Sequence, residues 1–320
     1  MLKYLVSHRK RLLLLIFIFS IYSAKARVVR LGFPSAAGIT GVDFSSAKVL
    51  MSAVSNGDTV QVFPPNLTAT ALSLDTITKR LTWIGVGNGN NVVPHVNIAA
   101  TLTSGADSSI FIGITGEFQY IDTSRNITFR NCSVVCNKFS SGMADHWYFW
   151  SCDDLDIGGR LTNLTIENSF IYQAYFFQAS GIIKNCVIQN LDLRGYPFLL
   201  QNNYLFNMYS VTYLSSTFQN NFFSQAETTF PNITGMNNKF GLPFSSVFMA
   251  NDYINYYYSL KSGSPAIGAG LNGDDIGMYG GSNPFRISRK PDEPVIYKLQ
   301  QVYNNDGKNI KVTVSAKHYD

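Results

Sequence analysis

The chain has 320 residues, 46% of them apolar and 14% charged, with 25 glycines, four cysteines and a formal net charge of +5. Low charge with ample apolar side chains excludes an intrinsically disordered protein. Four cysteines in this length exclude a small disulfide-framed scaffold, leaving one long folded domain or two short ones.

Residues 1–26 place Lys3, Arg9, Lys10 and Arg11 before the apolar run 12–22 and end in Ala24-Lys25-Ala26. That run of about 11 residues falls short of the roughly 20 that cross a bilayer. The segment is therefore expected to be a secretory signal, sending the chain to the periplasm, the cell surface or the medium, with no stable membrane span after cleavage. It carries five of the 25 Lys/Arg and no acid, which leaves 20 basic against 20 acidic residues. The basic excess is a targeting feature, so no nucleic-acid partner is expected.

Phe44, Ala47, Leu50, Met51 and Val54 recur at helical spacing, and Asn56-Gly57 supplies a stop. This predicts a short amphipathic helix lying across the first coil of a β stack. Asp58-Thr59-Val60-Gln61-Val62-Phe63 alternates as a strand, and Leu81-Thr82-Trp83-Ile84-Gly85 is a second.

Further on, one pattern repeats: Phe129-Arg130-Asn131-Cys132, Phe149-Trp150-Ser151-Cys152, Ile166-Glu167-Asn168-Ser169, Ile183-Lys184-Asn185-Cys186, Leu200-Gln201-Asn202-Asn203 and Phe218-Gln219-Asn220-Asn221, then a degraded Asn237-Asn238. Its third position falls at 131, 151, 168, 185, 202, 220 and 237, in steps of 20, 17, 17, 17, 18 and 17. An apolar residue stands two places before it. Three places after it stand Val134, Ile171, Ile188, Leu205, Phe223 and Phe240, with Asp154 the one break. Two short strands meeting at a small polar corner form one coil of a solenoid, and neither strand buries its apolar face until coils stack. The expected fold class is all-β, a single-stranded right-handed parallel β-helix with an N-terminal helix cap and a C-terminal β-hairpin. Asn131, Asn168, Asn185, Asn202 and Asn220 are expected at the corners, where Asn tolerates a left-handed backbone and its amide reaches the next copy about 4.8 Å away as a structural ladder.

Asn56-Gly57-Asp58-Thr59-Val60-Gln61-Val62 with residues 77–85 resembles the opening of exported bacterial right-handed parallel β-helix proteins, the pectin lyase-like group. Ser264-Pro265-Ala266-Ile267-Gly268-Ala269-Gly270 followed by Asp275-Ile276-Gly277-Met278-Tyr279-Gly280-Gly281 resembles the way many of those chains end their helix. The resemblance spans about residues 57–281 and implies the fold. For activity it implies little, because that fold hosts lyases, hydrolases, esterases, adhesins and inert surface proteins. The β-helix domain is placed at 27–281. Residues 282–320 read as a linker carrying Pro284, Pro291 and Pro294, then a hairpin from two alternating runs around Asn304-Asn305-Asp306-Gly307, either a cap or a surface for a protein partner.

Hydrolase signatures of that group, an Asn-Thr-Asp triplet and a Gly-His-Gly, are absent from the sequence. A lyase acting on a uronic-acid polymer by β-elimination needs a cation against the carboxylate and a base for the neighbouring C–H. The position before the corner points outward and carries Arg130, Trp150, Glu167, Lys184, Gln201 and Gln219. Lys184 is the candidate base and Arg130 the neutralising cation, with Glu167, Asp153 or Asp154 as weak ligands for calcium. The competing readings are a solvated face with ordinary cross-strand pairs, or a binding face on which Trp150 and Tyr148 stack against sugar rings. The insertion at 138–146 is expected to fold over those two rings. A non-catalytic exported or cell-surface scaffold with a polysaccharide as candidate partner is the favoured function and a polysaccharide lyase the alternative. No cofactor is expected outside the lyase reading.

Cys132, Cys152 and Cys186 share one column, with Ser169 between them. Buried inert thiols are expected, with a Cys132–Cys152 disulfide as the alternative.

Overall fold

The computed structural model describes residues 26–32, 43–63, 72–87, 97–136, 142–194, 196–209, 215–229, 233, 235–249, 258–286, 295–303 and 310–317. The predicted signal segment lies outside these, apart from residue 26.

Among the described residues the chain winds through two long parallel sheets. The first has eleven strands: Val28–Gly32, Thr59–Phe63, Thr82–Ile84, Ile110–Ile112, Thr128–Arg130, Tyr148–Trp150, Leu164–Glu167, Gly181–Lys184, Phe198–Gln201, Thr217–Gln219 and Gly235–Met236. The second has nine, from Leu72–Ile77 through Asp153–Gly159, Phe170–Phe176, Val187–Asp192 and Tyr204–Met208 to Phe222–Phe223. Three short strands, Thr123–Arg125, Met143–Asp145 and Leu161–Thr162, make a third sheet. The molecule is a parallel β-solenoid of about seven turns, the all-β class that the 17-residue period predicts.

Equivalent residues stack because each coil repeats the register of the last. Phe129 pairs with Phe149, Phe149 with Ile166, then Ile183, Leu200 and Phe218 follow in turn. At this spacing aromatic rings lie face to face. Trp83, Phe111, Phe129 and Phe149 form one such column, with centroids 6.2, 5.0 and 4.9 Å apart and interplanar angles of 6°, 15° and 8°. The break at Asp154 is an inserted residue: it is exposed at φ 47°, and Leu155 behind it takes the inward place opposite Ile171.

The corners are left-handed as expected, with φ of 51°, 47°, 51°, 56° and 54° at Asn131, Asn168, Asn185, Asn202 and Asn220. The coil-to-coil bonds of Ser169, Asn203, Asn221 and Asn238, however, fall one residue later than the column named from the sequence. Asn203 Oδ1 accepts from Cys186 N at 2.9 Å while its Nδ2 donates to Ile183 O at 2.8 Å, and Asn221 and Asn238 repeat the arrangement on the coils beyond. Ser169 Oγ likewise accepts from Cys152 N at 3.0 Å, but its hydroxyl donates within its own coil, to Glu167 O at 2.7 Å. A sharp corner takes a backbone N–H and a carbonyl out of the sheet, and a buried side chain from the next coil satisfies both.

The solenoid begins one strand earlier than predicted, at Val28–Gly32, which pairs with Thr59–Phe63. The helix Ala47–Ala53 follows it, burying Ala47 and Leu50, while Lys79 Nζ reaches the Met51 and Val54 carbonyls at 2.8 and 2.6 Å. At the other end Val295–Tyr303 and Ile310–Lys317 pair antiparallel as the expected hairpin.

Residues 266–286, assigned from the sequence to the end of the β-helix and the start of the linker, form a strap that turns back along the outside of the corner column. Ala269 O meets Asn220 Nδ2 at 3.5 Å, Leu271 N and Gly277 N meet Asn202, Gly280 O meets Asn168 Nδ2 at 2.7 Å, and Arg286 N reaches Ser151 Oγ at 3.3 Å. The strap thus climbs four strand spacings, roughly 19 Å. Beneath it lies a second apolar core, in which Phe170, Val187, Tyr204 and Phe222 from the outside of the second sheet meet Phe248, Ala266, Ile276, Met278 and Phe285.

Candidate functional site

The outward stripe predicted from the repeat is present in register. Ile112, Arg130, Trp150, Glu167, Lys184, Gln201, Gln219 and Met236 succeed one another on adjacent strands of the first sheet. Strand alternation sends these side chains out because Phe129, Phe149, Ile166 and Ile183 beside them point in.

The charged members bind one another. Lys184 Nζ lies 2.9 Å from Glu167 Oε1, and Tyr148 OH donates to Glu167 Oε2 at 3.3 Å. Burial of the phenol, then the Glu167 charge beside it, pushes the Tyr148 hydroxyl well above the usual tyrosine range. The Arg130 guanidinium stands 6.0 Å from the centre of the Trp150 ring, and its Nε is buried without a hydrogen-bond partner.

Trp150 and Tyr148 are both partly exposed on this face. Of the 138–146 insertion expected to cover them, residues 138–141 lie outside the described residues, and Met143–Asp145 lies in the third sheet between Thr123–Arg125 and Leu161–Thr162. Among the described residues the strap touches Trp150: the indole N–H donates to Asn283 O at 3.2 Å. Asn283 was missed because nothing in the linker composition records a contact with residues far back in the chain.

Asp153 is buried and Asp154 exposed. Among the described residues no three His, Cys, Asp or Glu side chains gather as they would around a metal ion. Asp145 is held by Thr162 Oγ1 and Asn163 Nδ2 at 2.9 Å each and by His146 Nδ1 at 3.0 Å. Burial works to raise its carboxyl, and those three partners together hold it below the usual range.

All four cysteines are free and buried. Cys132 and Cys186 direct their thiols to the carbonyls of Arg130 and Lys184, each at 3.1 Å, two residues back on the same strand. They fill the same column as Ser169 and Asn203. Burial pushes Cys132 and Cys136 up to about 12, so none is an activated nucleophile.

Comparison with protein-family models, curated proteins and solved structures finds no match for this chain. Among the described residues, no helix is long and apolar enough to cross a membrane.

Proposed function

We propose that this protein is a non-catalytic scaffold, exported to the periplasm, cell surface or medium, that presents its first-sheet stripe to a polysaccharide. The observation that carries the proposal is the Trp150 ring: it is partly exposed on a flat sheet, backed by Arg130, and fixed at its edge by Asn283. A ring held in one orientation before a ligand arrives loses little entropy on stacking against a sugar. The strap runs along one margin of the stripe and gives it a wall.

The lyase alternative has weaker support. Arg130 and Lys184 are three strands apart, roughly 14 Å along the stack, and each side chain turns to its own neighbour. A uronate carboxylate and the C–H it acidifies belong to one sugar ring, so cation and base should converge on one point.

Size-exclusion chromatography of residues 27–320 with uronic and neutral polysaccharides, following protein and polymer separately, tests this reading. The expected result is co-elution with a polymer of unchanged length, lost in Trp150→Ala and kept in Lys184→Ala. Polymer that elutes later as shorter chains, with shortening stopped by Lys184→Ala, would establish the lyase instead. Lys184→Ala itself should cost on the order of 1 kcal/mol, because Lys184 is 37% exposed and the Glu167 carboxylate, though only 17% exposed, keeps its hydrogen bond from Tyr148.

A further inference from the structure

The first coil holds an acid that the stripe does not use. Asp58 is 2% exposed. Its Oδ1 accepts from the backbone N–H of Arg27 at 2.9 Å, and its Oδ2 accepts from Arg27 Nη2 and from Ser55 N, each at 2.9 Å. The Arg27 guanidinium is half exposed and also donates at 2.8 Å to Ala53 O, at the end of the helix Ala47–Ala53. Arg27 O accepts from Thr59 N at 2.8 Å. Arg27 is thus tied through its amide and its carbonyl to the start of the strand Thr59–Phe63, beside which Val28–Gly32 then runs. Residues 26 and 27 are both exposed. Ala24 and Ala26 stand third and first before the Ala26–Arg27 bond, the small-residue pattern at which a leader is cut.

We propose that a leader peptidase cuts the Ala26–Arg27 bond and that the α-ammonium so made pairs with Asp58, tightening the first coil in the processed chain. In the cut, water adds its hydroxyl to the Ala26 carbonyl carbon and a hydrogen to Arg27 N, which takes up a further proton at neutral pH. Arg27 N thereby gains a full positive charge 2.9 Å from a carboxylate oxygen that it already meets as a neutral amide. A charge-assisted bond is about twice as strong as a neutral one, and burial of the acceptor weakens the screening between the two charges. The guanidinium leaves Oδ1 to the ammonium, because it lies on Oδ2 and is shared with Ala53 O. The inference rests on the export read from residues 1–26 and is independent of what the stripe binds. Were Asp58 an acceptor for the turn alone, stability would not depend on whether Arg27 N is free.

Two chains test the pairing, one beginning at Arg27 after removal of a fusion that leaves no residue behind, the other retaining Lys25-Ala26 before it. The chain beginning at Arg27 should unfold at the higher urea concentration, and Asp58→Asn, made in both, should abolish the difference. The Arg27 α-amine, followed through the pH dependence of its labelling by an acylating reagent, should titrate about one to three units above the roughly 7.7–8.0 of a free terminus and return to that range in urea. Should Asp58→Asn not fold, acetylation of the Arg27 terminus with Asp58 intact should bring the midpoint down to that of the longer chain. Equal midpoints for the two unaltered chains, or an ordinary α-amine in the folded protein, overturn the proposal. Mass spectrometry of the full chain after expression with its leader in a bacterial host separates export from pairing. A first residue other than Arg27 overturns the processing site, and an uncut chain overturns the export reading and the proposal with it. A terminus at Arg27 with equal midpoints leaves export standing and overturns the pairing alone.

Discussion

The indole N–H of Trp150 donates to the backbone carbonyl of Asn283, 133 residues further along the chain, at 3.2 Å. The contact ties the first-sheet stripe to a strap whose path is set by the corner asparagines. The residues that turn each coil thus also guide a segment that belongs to no coil. The strap lies close against them because glycine stands where it crosses their amides. A Cβ at Gly281 would come within 2.5 Å of Asn185 Nδ2, and one at Gly270 within 3.0 Å of Asn202 Oδ1.

Gly281→Ala should therefore loosen the strap. Gly281 has φ 76°, and a left-handed backbone alone costs an L-residue about 1–2 kcal/mol, to which the clash with Asn185 adds. The urea midpoint should fall. Acrylamide quenching of tryptophan fluorescence should rise, because Trp83 and Trp147 are buried and Trp150 alone of the three reports on the strap. An unchanged midpoint with unchanged quenching would show that the strap adjusts freely at this point.

The buried ladder should discriminate between substitutions by chemistry more than by size. Asn203→Leu strands the Cys186 N–H and the Ile183 carbonyl, which Asn203 now satisfies. At about 1–3 kcal/mol for each stranded group, roughly 3 kcal/mol or more should be lost in denaturant unfolding. Asn203→Ser should cost less, since a serine here keeps an acceptor for the Cys186 N–H, as Ser169 Oγ accepts from Cys152 N at 3.0 Å on the preceding coil, and leaves only the Ile183 carbonyl stranded. Equal losses for the two variants would mean that volume, and not hydrogen bonding, governs the column.

The buried thiols make stability fall in alkali. Burial raises Cys132 and Cys136 from 9.0 to about 12 and Cys152 and Cys186 higher. Above 9.0 the unfolded chain releases thiol protons that the folded chain keeps, so the unfolded state binds fewer protons and ΔG of unfolding declines as pH rises. The contribution is complete below 9.0 and is lost progressively toward about 12 and beyond, at about 1.4 kcal/mol per pH unit for each thiol. Comparing urea midpoints near pH 8 and pH 10.5 for the wild type and Cys132→Ser should show the shallower decline in the variant. In the native protein at about pH 8 a thiol reagent should label none of the four until the chain unfolds; fast labelling would mean that the coils open locally.

The amino-acid sequence alone determined the coil. The 17-residue step, the inward column from Phe129 to Phe218 and the left-handed asparagine corners are all local features, expressed in alternation and in the backbone tolerance of single residues. Stacking copies them from coil to coil, so one repeat suffices to read the others. The tertiary structure alone decided which side chains close the backbone at each corner, where the strap lies, and what touches Trp150. The corner amides face outward to the strap, so coil-to-coil bonding passes to the buried residue behind them, a choice that Asn-Asn pairs in the sequence leave open. The strap joins residues 49 to 135 positions apart through backbone carbonyls, amides and glycines. Such contacts occur once, follow no period, and involve groups that every residue carries, so only the folded chain places them.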